Sequence, residues 1–254
     1  DQVSLDNIDM RYTTILYTEE TDPETGDYVE LQRLQTIENR IWVDYDQIPR
    51  HMIDAAVAIE DKRFWEHNVD WKRTFGAFVN MFIPIYPTQA GGSTITQQLI
   101  KNITDDDAVN VQRKVREIFR ALNLSKRYSR EQILEAYLNT IYFNNGCYGV
   151  QAAANVYFGK DVSELSVAES ASIIGITNAP GAYNPFTNPE NNKKRQEDIL
   201  YAMFEQGYLT QQEYDDAVAE ELVFTPQAAI DRVNPVYSYF TDYVIEQVIA
   251  DLMD

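Results

Sequence analysis

The hydrophobic pattern changes period once along this chain, near Pro49. Before it, Tyr12-Thr13-Thr14-Ile15-Leu16-Tyr17 and Tyr28-Val29-Glu30-Leu31-Gln32 are rich in β-branched and aromatic residues. Asp22-Pro23-Glu24-Thr25-Gly26-Asp27 between them supplies turn residues, so the pattern predicts a β-hairpin. Arg40-Ile41-Trp42-Val43 predicts one more short strand. After Pro49 the apolar positions recur at helical spacing, and about nine helices are expected. Their starts are marked by local chemistry. Ser129 with Gln132, Ser166 with Glu169, and Thr210 with Glu213 each fit a capping box. Asn188-Pro189 fits an N-cap followed by proline in the first turn. Gly207 follows a helix of about 17 residues and suits its C-terminal cap. From Val233 onward the chain predicts another helix. The most apolar stretch, residues 75–87, is broken by Pro84 and Pro87 and falls short of the roughly 20 residues of a membrane span. It reads either as a core helix with a loop or as an apolar flap at a membrane interface.

A length of 254 residues allows one large domain or two small ones. The formal net charge of -19 argues against nucleic acid as a partner. With one cysteine, Cys147, there is no disulfide framework, and a packed small residue is the expected role. The chain opens at Asp1 without a methionine and reads as an excised segment. The organisation expected is a hairpin and linker over 1–46, a main domain over 47–228 and a linker helix over 229–254. Against the acidic whole, residues 110–130 hold seven cationic side chains and one acid, Glu117. That island is either a helix face paired with acids elsewhere or an anion site for phosphate or pyrophosphate.

Three stretches could carry chemistry. Ala55-Ala56-Val57-Ala58-Ile59-Glu60-Asp61 runs apolar into two acids, with Phe64 and His67 just beyond. On one continuous helix, Ala56, Glu60, Phe64 and His67 would share a face. Desolvation there would raise the Glu60 pKa and suit it to general base or acid work. The alternative is a solvated or ion-paired glutamate near Lys62 and Arg63. Gly91-Gly92-Ser93-Thr94-Ile95-Thr96-Gln97-Gln98-Leu99-Ile100-Lys101-Asn102 places a glycine pair before a helix capped by Ser93 or Thr94. Gln97 and Lys101 share a face of it, and hydroxyls, amides and a lysine suit a sugar phosphate, although ordinary turns look alike. Arg113-Lys114-Val115-Arg116-Glu117 brings two cations to one carboxylate, as an intrahelical ion pair or as a site beside a bound pyrophosphate. His51 and His67, the two histidines, have no spacing for a zinc site.

In order, these segments resemble the peptidoglycan glycosyltransferase domain of class A penicillin-binding proteins and monofunctional transglycosylases, over about Ile48 to Val223. Glu60-Asp61-x-x-Phe64-x-x-His67 is similar to the family's first motif, Gly91 to Gln98 to its second and Arg113-Lys114-x-x-Glu117 to its third. Glu135-Ala136-Tyr137-Leu138-Asn139 resembles the fourth, and Ala168-Glu169-Ser170-Ala171 with Ala179-Pro180 the fifth. The resemblance implies a mainly α, lysozyme-like fold, with an N-terminal β-hairpin, a larger helical lobe and a smaller membrane-proximal lobe. It implies a membrane helix upstream and a transpeptidase downstream in two-domain members.

The function it implies is polymerisation of lipid II at the extracytoplasmic face of the cell membrane. Glu60 would take the proton of the GlcNAc 4-hydroxyl as it attacks the growing strand, with inversion and loss of polyprenyl pyrophosphate. Glu117 would be the second catalytic carboxylate, orienting the cations or binding acceptor. Lys101, Arg113 and Lys114 would offset pyrophosphate charge. Asp61, Phe64, His67, Ser93, Thr94, Thr96, Gln97, Gln98, Asn102 and Asn139 complete the expected substrate site. The partners implied are lipid II, the growing glycan strand, the membrane surface and moenomycin-type inhibitors. No cofactor is required; a divalent cation, Mg2+ or Mn2+, is compatible with the pyrophosphate, but no dedicated ligand set is legible. The sequence departs from the family in His67-Asn68-Val69-Asp70, which lacks the glycine usual two residues after the histidine and is one residue short, at Val109, where some members carry arginine, and at Asn144, another common glycine. A glycan-cleaving lytic enzyme and a non-catalytic lipid II-binding module are the competing readings.

Overall fold

The computed structural model describes residues 3–5, 8, 14–21, 28–34, 39–66, 93–104 and 111–225. The chain divides into two units, one of residues 1–12 and 37–225, the other of 13–36 and 226–254. In the second unit, strands β1 (Thr14–Thr21) and β2 (Tyr28–Leu34) pair antiparallel, from Thr14 opposite Leu34 to Thr21 opposite Tyr28. This is the expected hairpin, each strand extending further than its β-branched run, and irregularities after Leu16 and Tyr17 shift its register. The expected turn at 22–27, the apolar stretch 75–87 and the C-terminal helix lie outside the described residues.

The other unit is mainly helical, as the sequence predicts. It contains α1 (Arg50–Glu60), α2 (Ile95–Ile103), α3 (Val111–Arg127), α4 (Arg130–Thr140), α5 (Val150–Phe158), α6 (Val167–Ile176), α7 (Pro189–Glu205) and α8 (Gln211–Ala219). The strand expected at 40–43 shrinks to β3 (Asn39–Arg40), paired in parallel with β4 (Cys147–Tyr148). Trp42 and Val43 instead carry the chain onto α4: Trp42 Nε1 donates to Glu135 Oε1, and Val43 bonds Asn139. Residues 39–47 thus pack with the helical unit.

Helix starts follow the local chemistry closely. Ser129, Ser166 and Thr210 each accept from the backbone N–H three residues on, and Gln132, Glu169 and Glu213 complete reciprocal boxes. Pro189 opens α7, but Asn188 makes no capping bond; its amide donates to Gly181 O instead. Gly207 takes φ +76° just past α7, and Tyr208 N–H bonds back to Met203 O.

Small side chains decide how the helices meet. Ala55, Ala56 and Val57 of α1 are fully buried, which lets α6 and α7 pack against it. Every residue from Ala168 to Ile176 is buried, so α6 runs through the core. Its polar groups are largely matched there: Asn192 Nδ2 donates to Ser172 O and Tyr183 O. Gly149 precedes α5 at φ +85°, where a Cβ would lie 2.8 Å from Asn139 O. Cys147 is buried, as expected of a packed small residue, and burial pushes its thiol up to about 12.

Candidate active site

Glu60 is the last residue of α1 and Asp61 its C-cap, with a non-helical backbone at φ −154° and ψ 72°. The helix therefore stops before Phe64, and residues 62–66 form turns. The expectation of one helical face through Ala56, Glu60, Phe64 and His67 is corrected accordingly. Ala56 and Phe64 are core residues, and Phe64 lies under the Arg130 guanidinium, which also bonds its carbonyl. His67 lies outside the described residues, as do Asn68, Gly91, Gly92 and Val109.

Asp61 fixes the neighbouring element. It is buried, and its Oδ2 accepts from the N–H of Ile95, the first residue of α2. A carboxylate at a helix N-terminus meets unpaired N–H groups and the positive end of the dipole. Thr94 caps the same turn by accepting from Gln97 N–H, while Gln97 Oε1 accepts from Thr94 N–H. Of the second stretch, Thr94 and Thr96 are thus buried in the helix start, and Ser93, Gln97, Gln98, Lys101 and Asn102 face an open cleft.

That cleft has a volume of about 420 Å³. Its walls are Glu60, the five residues just named, Arg113, Lys114 and Glu117 of α3, and Ile141, Tyr142, Thr177, Asn178 and Pro180. Glu60 also borders a second, smaller depression of about 170 Å³ with Ala58, Ile59, Lys62 and Arg63.

Two carboxylates dominate the cleft, and their surroundings differ. Glu60 is 8% exposed. Gln98 Nε2 donates to its Oε2 at 2.8 Å, and Thr177 Oγ1 lies 3.2 Å from its Oε1. Glu117 is 5% exposed and held between cations. Arg113 Nη1 is 3.3 Å from Oε2, while the Lys114 ammonium contacts Oε1. Lys114 also donates to Ser93 Oγ at 3.0 Å, tying α3 to the start of α2. The spacing that suggested an ion pair is therefore one, and the same cations line the cleft. Glu60 thus has the amide of Gln98 and the hydroxyl of Thr177 among its partners, whereas Glu117 joins Arg113 and Lys114.

Asn139 is not brought to the cleft. It is fully buried in α4, where it accepts from Val43 N–H and donates to Val43 O and Glu135 O. Its motif partner Tyr137 is the residue that reaches Gln98, donating to Oε1 at 3.2 Å. Sequence reasoning missed Tyr137, Tyr142, Thr177 and Asn178. The signal available for Thr177 and Asn178 was two polar residues closing an apolar run, directly before Ala179-Pro180. Asn144, at a common glycine position, takes φ +69° and donates to Pro180 O at 2.8 Å. Asparagine tolerates this left-handed backbone better than most residues, so the departure keeps the turn. Among the described residues no helix is long and apolar enough to cross a membrane.

The family described as Transglycosylase matches residues 27–204. The chain is 40% identical over 232 residues to penicillin-binding protein 1A of Clostridium perfringens, covering 86% of this chain and 34% of that protein. It is 39% identical over 219 residues to penicillin-binding protein 1A of Aquifex aeolicus, covering 84% and 28%. It is 38% identical over 224 residues to penicillin-binding protein 1F of Bacillus subtilis, covering 88% and 31%. Among solved structures, penicillin-binding protein 1A from Haemophilus influenzae aligns with a TM-score of 0.48 at 24% identity, over 87% of this chain and 22% of that one. The chain spans about a third of the length of the curated relatives it matches.

Proposed function

Because this chain belongs to the transglycosylase family, matched over residues 27–204, we propose that it is a peptidoglycan glycosyltransferase that polymerises lipid II. The observation that carries the reading is the shared cleft: a nearly buried glutamate, Glu60, opens onto the same space as Lys101, Arg113 and Lys114. A base beside a cationic wall suits transfer from a pyrophosphate-activated sugar. Cleavage of a neutral glycosidic bond, the lytic alternative, needs no such wall.

In this mechanism Glu60 takes the proton of the GlcNAc 4-hydroxyl of lipid II. The freed oxygen attacks the anomeric carbon of the growing strand from the face opposite the pyrophosphate. The carbon–oxygen bond to the leaving group breaks, its electron pair departs with the polyprenyl pyrophosphate, and the centre inverts. Lys101, Arg113 and Lys114 offset the charge that develops on the phosphates, and Glu117 holds Arg113 and Lys114 at that station. Ser93, Gln97, Gln98 and Asn102 meet sugar and phosphate oxygens.

Among the described residues no group of three or more His, Cys, Asp or Glu could hold a metal ion. A divalent cation, Mg2+ or Mn2+, bound with the substrate would draw ligands from the pyrophosphate oxygens. The substrate's lipid places the work at the outer surface of the cell membrane. A moenomycin-type phosphoglycolipid would compete for the cationic cleft.

The test is polymerisation of labelled lipid II in detergent, with Glu60→Gln beside the wild type. The reading expects lengthening strands from the wild type and none from the near-isosteric variant. Shortened glycan would favour the lytic enzyme, and binding without product the non-catalytic module.

A further inference from the structure

One hydroxyl beside Glu60 has a single proton and two acceptors within reach. Thr177 Oγ1 is 3.2 Å from Glu60 Oε1 and 2.9 Å from Ile174 O. A threonine hydroxyl donates once and can accept at the same time, so it serves one of these oxygens as donor and remains open as an acceptor.

The other carboxylate oxygen faces a partner without that freedom. Gln98 Nε2 donates to Oε2, and Gln98 Oε1 accepts from Tyr137 OH. An ionised carboxylate only accepts, so the amide must turn its nitrogen to Glu60 and its carbonyl to Tyr137. Tyr137 is fully buried; burial first, and the Glu60 charge second, push its hydroxyl well above the usual tyrosine range. It keeps its proton and stays a donor to Gln98. Gln98 can thus hold a carboxylate, but its N–H offers nothing to a carboxylic acid proton at Oε2.

We propose that Thr177 is the positioning residue that lets Glu60 change protonation state without moving. This rests on the glycosyl-transfer reading given above. While Glu60 is ionised, Thr177 donates to Oε1. As the acceptor hydroxyl attacks, its proton passes to Glu60, the new carbon–oxygen bond forms, and the bond to the pyrophosphate breaks with the electron pair leaving on phosphate. The neutral acid then carries its proton on Oε1. Thr177 turns its own proton to Ile174 O and accepts from Glu60. Gln98 and Tyr137 keep Oε2 an acceptor in both states. Each state is then fully bonded at both oxygens, and neither leaves a polar group in the nearly buried site without a partner.

The experiment compares Thr177→Val, which keeps the shape and drops the hydroxyl, with Thr177→Ser, which does the opposite. Lipid II polymerisation is followed as kcat and KM, with thermal melts as a check on folding. Thr177→Val should lower kcat about tenfold or more with KM within about twofold, and Thr177→Ser should keep kcat within about threefold. Thr177→Ala serves as a second hydroxyl-free variant should valine disturb folding, and it should be as slow as Thr177→Val. A Val variant at wild-type kcat, or a Ser variant as slow as Val, would overturn the proposal, because packing alone predicts that the isosteric valine is the better replacement. Failure of the underlying reading is distinguishable: the wild type then makes no polymer, or Glu60→Gln remains as active as the wild type.

Discussion

Asn139 bonds both backbone groups of Val43, accepting from its N–H at 2.9 Å and donating to its carbonyl at 2.8 Å. The same amide nitrogen also donates to Glu135 O at 2.8 Å. One side chain thus fastens the segment entering α1 to α4, in a place where no water reaches it.

Replacing Asn139 with alanine should therefore damage the fold before it damages chemistry. It leaves the Val43 N–H and carbonyl unmatched in a buried setting, at about 1–3 kcal/mol for each group. A loss of roughly 3 kcal/mol corresponds to a melting temperature lower by roughly 6–12 °C in a domain of this size. A melt of Asn139→Ala checks it; an unchanged Tm with weakened lipid II binding would put Asn139 at the ligand instead.

Asn144 makes a subtler case, because the backbone at φ +69° suits glycine while its side chain bonds Pro180 O. Asn144→Gly should lose that bond and the exposed one that Asn145 N–H makes to Asn144 Oδ1, about 1 kcal/mol in all. Asn144→Ala should lose both bonds and add left-handed strain, for a total of about 2 kcal/mol. Denaturant unfolding gives the order. Alanine more stable than glycine here would mean that the turn relaxes out of the left-handed region.

The two lysines of the cleft should not be equivalent. Lys101 is exposed, whereas Lys114 contacts both Glu117 and Ser93. Lys101→Ala removes a charge from the cleft wall. Lys114→Ala removes a charge, loosens the start of α2 and leaves the nearly buried Glu117 to Arg113 alone. Loss of kcat/KM for lipid II should be on the order of 10²-fold for Lys114→Ala and smaller for Lys101→Ala. Equal losses would show that charge alone matters at this wall.

Burial at His51 gives the protein an acid-sensitive element outside the cleft. Desolvation lowers its pKa, only partly offset by the bond from its ring to Leu165 O at 2.9 Å and by Asp54 nearby. A folded-state pKa below the unfolded value means that the unfolded chain binds the proton more readily. Stability is then intact above the unfolded value of about 6.5 and falls as pH drops from there to the folded pKa. His51→Gln, which can still donate to Leu165 O, should show a smaller stability loss between about pH 7.5 and pH 5. Chemical denaturation at the two pH values measures it, and an unchanged slope would assign the loss to carboxylates.

Short-range chemistry is the part of this protein that its residue order makes legible. The boxes at Ser129, Ser166 and Thr210 close between residues three apart, so they form wherever the helix forms. The hairpin, the Arg113–Glu117 pair and the basic island are local in the same sense. The family resemblance added the order of the motifs and Glu60 as their centre. Which motif residues line the cleft was settled by packing partners far away in the chain. A helix that stops at Glu60 sends Phe64 into the core under Arg130. Asn139 turns inward to Val43, 96 positions away, while its neighbour Tyr137 reaches across to Gln98. Thr177 meets Glu60 over a separation of 117 residues, which no periodicity or spacing could register.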